Sequence, residues 1–126
     1  MIFIDRSVPK SVAEALKLVR NDDVRWLEDI YPHDIRDELW LPDAGAIGWL
    51  VVSRDKKIRS RSWQRELVRR HGVGCFIINQ KRDLTRWEYL KLFANCLDEM
   101  VRRFVATPRP FMRLVSLTYA LRDVPL

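Results

Sequence analysis

GWLVVSRDKKIRSR, the stretch at residues 48–61, decides the fold of this chain. Its bulky apolar run at residues 49–52 has the composition of a buried strand. The run stops at Ser53, and one carboxylate, Asp55, follows among lysines and arginines. In an open α/β sheet, ligands bind at the carboxyl ends of strands, because the loops there are exposed and the strands beneath them are rigid. The stretch therefore predicts a buried strand that delivers Asp55 to a cationic surface.

The composition fits a single globular domain over residues 1–126. The chain carries 23 Lys and Arg against 17 Asp and Glu, a formal net charge of +6, and its pI is near 9.7. This excess of positive charge favours an anionic partner. The partner can be nucleic acid, an acidic protein or an anionic membrane surface, and charge alone does not choose among them. The longest apolar or glycine run, residues 44–52, is far shorter than the about 20 residues of a membrane span. We therefore expect a cytoplasmic protein without a membrane partner, whose Cys75 and Cys96 are reduced.

Strand and helix patterns alternate along the chain. Short apolar runs at residues 2–4, 24–27, 49–53 and 75–78 have strand composition, and helical patterns separate them. The clearest helix begins at Thr85, which has capping-box spacing with Glu88. Its apolar positions recur every three or four residues, at Trp87, Leu90, Ala94, Leu97, Val101 and Phe104. The alternation predicts an α/β protein, a three-layer α/β/α sandwich around a central parallel sheet of four to five strands.

Some boundaries follow from capping residues and helix breakers. The spacing of Ser11 and Glu14 predicts a capping box at the start of the first helix. Pro42 predicts the end of a short helix over residues 35–41. Residues 105–126 are apolar and basic but have no clear period, so they are left unassigned between a final strand and a packing arm.

Asp5 and Asp55 each follow a predicted strand. Because the strands of a parallel sheet point the same way, these two carboxylates should emerge at the same edge. Asp37 lies on the helix over residues 35–41, which starts from that edge, so it or a neighbour can join them. Carboxylates that are brought together repel one another unless a cation shares them, and such clusters therefore bind Mg²⁺ or Mn²⁺. These ions can orient a phosphodiester, activate a water molecule and stabilise the leaving oxygen.

Cations crowd around this predicted acidic site. The residues predicted to hold an RNA backbone are Arg54, Lys56, Lys57, Arg59, Arg61 and Arg65. Over residues 54–70 only Asp55 and Glu66 carry the opposite charge, and this imbalance favours binding of a polyanion. A nuclease needs an acidic centre inside a basic rim, because the rim holds the backbone while the metal acts on the cut phosphate.

Three segments together resemble a known family. They are Ile4-Asp5 with Pro9, the run Asp37-Glu38-Leu39-Trp40, and the run from Gly48-Trp49 to Asp55-Lys56-Lys57. The chain resembles the PIN-like ribonuclease domain, and within that family the small proteins that include toxins of VapC type. The resemblance is strongest over residues 2–79 and extends loosely to about residue 104.

The resemblance implies roles for individual residues. Asp5, Asp37 and Asp55 would be the catalytic, metal-binding acids, and the hydroxyl of Ser53 would support them. PIN domains commonly carry a fourth acid soon after the third, where this chain has Lys57. Glu66 or Glu38 would have to replace that acid, so the number of bound metals stays open.

The resemblance and the charge pattern imply a metal-dependent endoribonuclease, with Mg²⁺ or Mn²⁺ as cofactor and RNA as substrate. The same resemblance implies that the protein would be the toxin of a toxin–antitoxin pair, with a cognate antitoxin protein as partner. Whether the chain also forms a homodimer is left open. The main rival is a non-catalytic nucleic-acid-binding or partner-binding module that uses the basic helix over residues 62–71. A phosphoacceptor signalling domain, with acids at strand ends and Lys81, is disfavoured because Arg6 rather than a second acid follows Asp5.

The site residues also have purely structural interpretations. Asp5 and Asp55 can be turn residues, and Asp37 can pair with a neighbouring cation on an exposed face. Glu66 can form an ion pair with an arginine one helical turn away. Most of the five tryptophans follow the apolar patterns of the predicted core, but Trp63 is left open for stacking on a nucleotide base.

Overall fold

A computed structural model describes all residues from 1 to 126. Six strands form one sheet: β1 (Ile2–Ile4), β2 (Val24–Trp26), β3 (Leu50–Ser53), β4 (Gly74–Ile78), β5 (Phe111–Val115) and β6 (Leu121–Val124). Their order across the sheet is β2-β1-β3-β4-β5-β6. The first five strands are parallel, and β6 pairs antiparallel with β5. The predicted α/β fold is confirmed, and the unassigned tail supplies two further strands at one edge of the sheet.

Six helices accompany the strands: α1 (Lys10–Val19), α2 (Leu27–Ile30), α3 (Asp37–Ile47), α4 (Lys56–Ser60), α5 (Ser62–His71) and α6 (Arg86–Ala106). Successive strand residues point to opposite faces of a sheet. Ile2 and Ile4 accordingly join the buried cluster that contains residues of α1 and α6, whereas Phe3 joins the cluster that contains residues of α3, α4 and α5. The protein is therefore the predicted three-layer sandwich.

The smaller of the two cores holds α3 over the sheet. It contains 14 buried residues, against 20 in the core beneath α1 and α6. Phe3 of β1 stacks on Trp49, with 5.1 Å between ring centroids, and also contacts Trp40 of α3 at 4.9 Å. Aromatic contacts of this kind contribute about 0.5–1.5 kcal/mol beyond the area they bury. They fix α3, which begins at Asp37, close to the end of β1.

α3 and α5 approach each other closely at Gly45. A Cβ atom there would lie 1.9 Å from the carbonyl oxygen of His71, so a larger residue does not fit. Gly48 ends α3 with φ 89°, a left-handed C-cap that glycine favours. α3 thus continues through Pro42, and the prediction that Pro42 ends this helix was wrong. The proline removes one helical hydrogen bond, but buried residues on both sides of it hold the helix in place.

Of the two predicted capping boxes, the one at α6 is confirmed and the one at α1 is absent. At α6 the Glu88 backbone N–H donates to Thr85 Oγ1 (3.1 Å), and the Thr85 N–H donates to Glu88 Oε1 (2.9 Å), as predicted. At α1 the N-cap is Pro9 and no side chain caps the helix, so the predicted box at Ser11 was wrong. Pro9 already fixes a backbone angle suited to a helix start, and the helix begins two residues earlier than a Ser11 cap would allow.

The buried face of α6 is rotated from the predicted one. The residues that pack on the sheet are Tyr89, Leu92, Phe93, Cys96, Leu97 and Met100. Trp87 and Ala94, which were predicted to be buried, are exposed. α6 carries apolar residues on more than one side, so their spacing alone did not select the face. None of the helices, α6 included, is long and apolar enough to cross a membrane.

Candidate active site

Asp5 lies directly after β1 and is almost completely buried, with 3% of its surface exposed. Its Oδ1 accepts the backbone N–H of Arg6 (2.7 Å), and its Oδ2 accepts the hydroxyls of Ser53 (2.8 Å) and Ser7 (3.0 Å). Burial raises the pKa of the Asp5 carboxyl, the two hydroxyls oppose that shift, and the negative charge of Asp37 adds to it. Asp5 is therefore held in a network of donors rather than in solvent.

Ser53 links the ends of β1 and β3. Its hydroxyl donates to Asp5 and accepts the backbone N–H of Asp55 at 2.9 Å. Ser7 makes a parallel link, because its hydroxyl donates to Asp5 and accepts the N–H of Arg54 at 2.8 Å. β1 and β3 are adjacent parallel strands, so both ends lie at one edge of the sheet, as the sequence predicted.

Asp55 is the N-cap of α4. Its Oδ1 accepts the backbone N–H of Lys57 at 2.9 Å, which satisfies one of the free donors at the start of that helix. The interpretation of Asp55 as a structural turn residue is therefore partly correct, because one carboxylate oxygen caps α4. Only one of its carboxylate oxygens is used in this way, and the other is left for a further contact.

Asp37 is the first residue of α3 and is half-buried. Its Oδ1 accepts Trp40 Nε1–H (3.0 Å), and its Oδ2 accepts the amide Nε2–H of the buried Gln64 (2.5 Å). Burial raises the pKa of the Asp37 carboxyl and the nearby charge of Asp55 raises it further, against the hydrogen bonds and the positive charge of Arg6. The oxygen Oε1 of Gln64 is buried without a hydrogen-bond partner.

Asp37 and Asp55 line one cavity of about 420 Å³, which we call the acid cavity. Glu38, Trp63 and Gln64 also line it. Its cations are Arg6, Arg36, Lys57 and Arg61. The cavity therefore combines three carboxylates, of which Asp37 and Asp55 repel each other, with four positive charges, and this excess of positive charge suits an anionic ligand.

The three predicted metal-binding acids do not form one cluster. Asp5 lies close enough to Asp37 for their charges to interact, and Asp37 lies close enough to Asp55, but Asp5 does not line the acid cavity. No group of three or more His, Cys, Asp or Glu side chains is arranged to hold a metal ion. Asp5 and Asp37 each accept hydrogen bonds at both oxygens, but Asp5 is almost completely buried whereas Asp37 is half-buried and reaches the cavity. A three-acid metal site stays a prediction.

Glu38 and Glu66, the two residues predicted to replace a fourth acid, lie in different places. Glu38 lines the acid cavity beside Asp37. Glu66 lies outside it and forms ion pairs with Arg69 and, at 3.9 Å, with Arg70. Glu66 therefore matches its structural interpretation, because its carboxylate is turned towards the arginines of its own helix.

Only some of the predicted RNA-binding residues line the acid cavity. Lys57 and Arg61 line the acid cavity. Arg54 pairs with Asp83 at 2.7 Å, and Arg65 lines a separate cavity near the C-terminus. Lys56 is exposed and Arg59 half-buried, and neither lines the acid cavity.

Sequence reasoning missed several residues that hold the site together. Arg6 donates from Nη1 to the carbonyl oxygen of His33 (2.9 Å) and from Nη2 to that of Ile35 (2.7 Å). It thereby ties the loop before α3 to the end of β1. The only signal in the sequence was position, since Arg6 and Ser7 directly follow Asp5. Gln64, four residues before the buried Val68 on α5, could have been placed on that buried face.

Comparison with known proteins gives the family of the chain. A family model described as a PIN like domain matches residues 1–80, which include Asp5, Asp37 and Asp55. The chain belongs to the PIN-like family. PIN-like domains are generally nucleases, so this PIN-like domain has a nuclease-type fold. Neither the curated proteins nor the solved structures include a significant match to the chain.

Proposed function

We propose that this PIN-like domain is a metal-dependent endoribonuclease that hydrolyses RNA phosphodiesters at the acid cavity. The observation that carries the proposal is that Asp37 and Asp55 share one cavity with four cations. Cations around the cavity attract and hold the phosphate backbone, and the carboxylates lie where a phosphate would be held. Membership of the PIN-like family supports the proposed type of reaction, and the lining of the cavity supports the choice of residues.

The donor set of the cavity fits one Mg²⁺ or Mn²⁺ ion. Mg²⁺ prefers oxygen ligands and is commonly bound by one or two carboxylates, with water in its other positions. Asp37 and Asp55 would hold the ion, because each repels the other's charge and Asp55 has one oxygen without a hydrogen bond. The chemistry available with the ion bound is orientation of a phosphodiester and activation of a water molecule.

The remaining residues of the site position these two acids. Asp5 fixes Ser53 and Ser7, whose hydroxyls accept the N–H groups of Asp55 and Arg54. Gln64 and Trp40 fix the orientation of Asp37 through its two oxygens. Arg6, Arg36, Lys57 and Arg61 bind phosphate oxygens of the RNA in this proposal.

The direct test is cleavage of single-stranded RNA by the purified protein in Mg²⁺ or Mn²⁺. We expect Asp55→Ala and EDTA each to abolish cleavage. The matched control is Asp98→Ala, because Asp98 is an exposed acid on α6, on the other face of the sheet. RNA cleavage that survives Asp55→Ala would overturn the proposal.

The toxin role is a finer part of the proposal and rests on the family resemblance. The net charge of +6 suits an acidic antitoxin as partner. We expect expression of the wild-type chain to arrest growth and Asp55→Ala to relieve the arrest. If Asp55→Ala still arrests growth at the same protein level as the wild type, the toxicity does not come from RNA cleavage at Asp55, and the toxin part of the proposal is contradicted. Sedimentation of the purified chain distinguishes a homodimer from a monomer.

A non-catalytic RNA-binding module is the second candidate. The exposed Arg69 and Arg70 of α5 favour it. Such a module would bind RNA in a salt-dependent manner, equally well in EDTA and after Asp55→Ala, and would show no turnover.

A further inference from the structure

Trp63 is a large aromatic side chain that the protein leaves unpacked. It lies in the first turn of α5 and is 47% exposed. The residues that α5 buries are Gln64 and Val68, and Trp63 belongs to neither hydrophobic cluster and to none of the aromatic pairs. The folding of α5 therefore does not account for a tryptophan at this position.

Three of the other four tryptophans have structural roles. Trp26 packs against the larger core and donates Nε1–H to the carbonyl oxygen of Val8. Trp40 is fully buried and bonds Asp37, and Trp49 is buried against Phe3. Only Trp87, on α6, resembles Trp63 in being exposed, at 67%.

Trp63 stands between two cavities. One is the acid cavity, and the other, of about 450 Å³, is lined by Glu38, Trp63, Glu66, Leu67 and Arg70. Glu38 and Trp63 are the residues common to both. A ligand that runs from the first cavity into the second therefore passes between or beside Trp63 and Glu38. We call the second one the neighbouring cavity.

The charges of the two cavities differ in a way that suits a nucleotide chain. The acid cavity carries four cations, which bind phosphate. In the neighbouring cavity Glu66 is paired with Arg69 and Arg70 of its own helix, and the remaining walls are Glu38, Leu67 and Trp63. A phosphate held in the first cavity thus has beside it the Trp63 ring and Leu67, together with the negative charge of Glu38, and this surface suits the flat face of a base rather than a second phosphate.

We propose that Trp63 stacks on an unpaired base of the RNA, next to the phosphate that the acid cavity holds. The inference rests on the proposed function, because it takes RNA as the ligand of the acid cavity. A stacked base contributes to affinity whatever its identity, since every base has a π-face. Trp63 accordingly selects single-stranded over double-stranded RNA, because bases in a duplex are already stacked on one another.

The test measures binding of a short fluorescently labelled single-stranded RNA by anisotropy, in EDTA so that cleavage does not interfere. We expect Trp63→Ala to weaken binding by about tenfold or more and Trp63→Phe to retain most of the affinity. The matched control is Trp87→Ala, which removes an equally large exposed ring from the other face of the sheet and should bind as the wild type does. Circular dichroism checks that each variant is folded.

A second arm changes the ligand instead of the protein. An oligomer with the same phosphates but abasic nucleotides offers no ring to stack on. We expect the wild type and Trp63→Ala to bind this oligomer equally, so that the effect of the substitution depends on the base. An equal loss of affinity for both oligomers would overturn the proposal, because it would assign Trp63 to the backbone or to the fold.

Other outcomes also decide the matter. Wild-type affinity in Trp63→Ala, or no measurable RNA binding by the wild type, overturns the stacking site. A change in self-association on sedimentation without a change in RNA affinity assigns Trp63 to a protein interface and overturns it too. Trp63-dependent binding without any cleavage contradicts the proposed nuclease activity but leaves the stacking site intact. RNA cleavage by a protein whose RNA binding does not depend on Trp63 would overturn the stacking site but leave the proposed nuclease activity intact.

Discussion

The two faces of the sheet have the same layout but different contents. The face under α1 and α6 buries the larger cluster, and the cavity between those helices is mainly apolar, with Leu16, Val19 and Trp87 among its walls. The face under α3, α4 and α5 buries the smaller cluster and ends in the acid cavity. Each face carries one exposed tryptophan, but only Trp63 lies beside carboxylates and cations.

We infer from this difference that the residues that mainly stabilise the fold lie apart from the residues of the acid cavity. Burial raises the pKa of both Asp5 and Asp37, so keeping these carboxyls ionised at neutral pH destabilises the folded state. The larger core on the opposite face offsets such a cost, because burial of apolar surface is the dominant stabilising contribution. We therefore expect substitutions on the two faces to have different effects on activity and stability.

The largest effect is expected from Asp37→Asn, which should reduce RNA cleavage by at least about 1000-fold. The neutral amide keeps the shape of the carboxylate but lacks the negative charge that would hold a cation against Asp55. Single-turnover cleavage measures the effect. Asp98→Asn, the same change on the other face, should cleave at the wild-type rate, and a variant of Asp37 that still cleaves would contradict the role of this acid.

The same Asp37→Asn variant should unfold at a higher temperature than the wild type at pH 7. The raised pKa of Asp37 means that its protonated form is favoured in the folded state, so the stability that this group contributes is lost as the pH rises through that pKa. The amide removes the buried charge, and Gln64 can rotate to pair its unpartnered oxygen with it. The gain should vanish at low pH, where Asp37 is protonated.

Leu92→Ala tests the opposite face. Leu92 is fully buried in α6, and we expect its truncation to lower the free energy of unfolding by about 2–4 kcal/mol. Cleavage measured well below the melting temperature should be unchanged. Leu41→Ala is the matched variant on α3, also fully buried, and it should reduce cleavage as well because α3 carries Asp37. Equal activities of the two variants would contradict the division between the faces.

Arg6→Ala should reduce cleavage by about tenfold. Arg6 ties the loop before α3 to the end of β1 and places a positive charge beside Asp37, so its loss frees the start of α3. Steady-state kinetics should show a lower kcat, and Arg6→Lys should restore little because it cannot reproduce the two hydrogen bonds. Arg20→Ala removes a comparable clamp on the other face, where Arg20 bonds Asp22. It should leave kcat unchanged.

Ser53→Ala has the smallest expected effect and acts mainly on pH dependence. Its hydroxyl lowers the pKa of Asp5, so removing it should raise that pKa further. The activity that depends on ionised Asp5 would then be lost at a higher pH on acidification. We expect the acid limb of the pH–rate profile to move to higher pH, with a loss of about 1–2 kcal/mol in stability. Ser60→Ala, at an exposed position, serves as the control. An acid limb that stays at the wild-type pH would contradict the prediction that Ser53 acts on activity through the pKa of Asp5.

The sequence predicted the elements of the site better than their arrangement. Asp5 and Asp55 follow strands that the sequence placed correctly, and parallel strands end at one edge. Asp37 was assigned to the right helix, but Gln64 and Trp40, which fix its carboxylate, were not recognised. Their role depends on how α3 and α5 pack, and no local pattern encodes that contact.

The strand ends, the alternation of strands and helices and the capping box of α6 were determined by the sequence alone, because each depends on residues close together in the chain. Tertiary structure decided which face of α6 is buried, because its apolar residues lie on more than one side. It also turned Asp5 inward and Glu66 towards Arg69, and brought Asp37, Asp55 and Trp63 to one cavity. Contacts between distant segments determine these features, since the buried partners of a polar side chain are chosen only when the layers pack together.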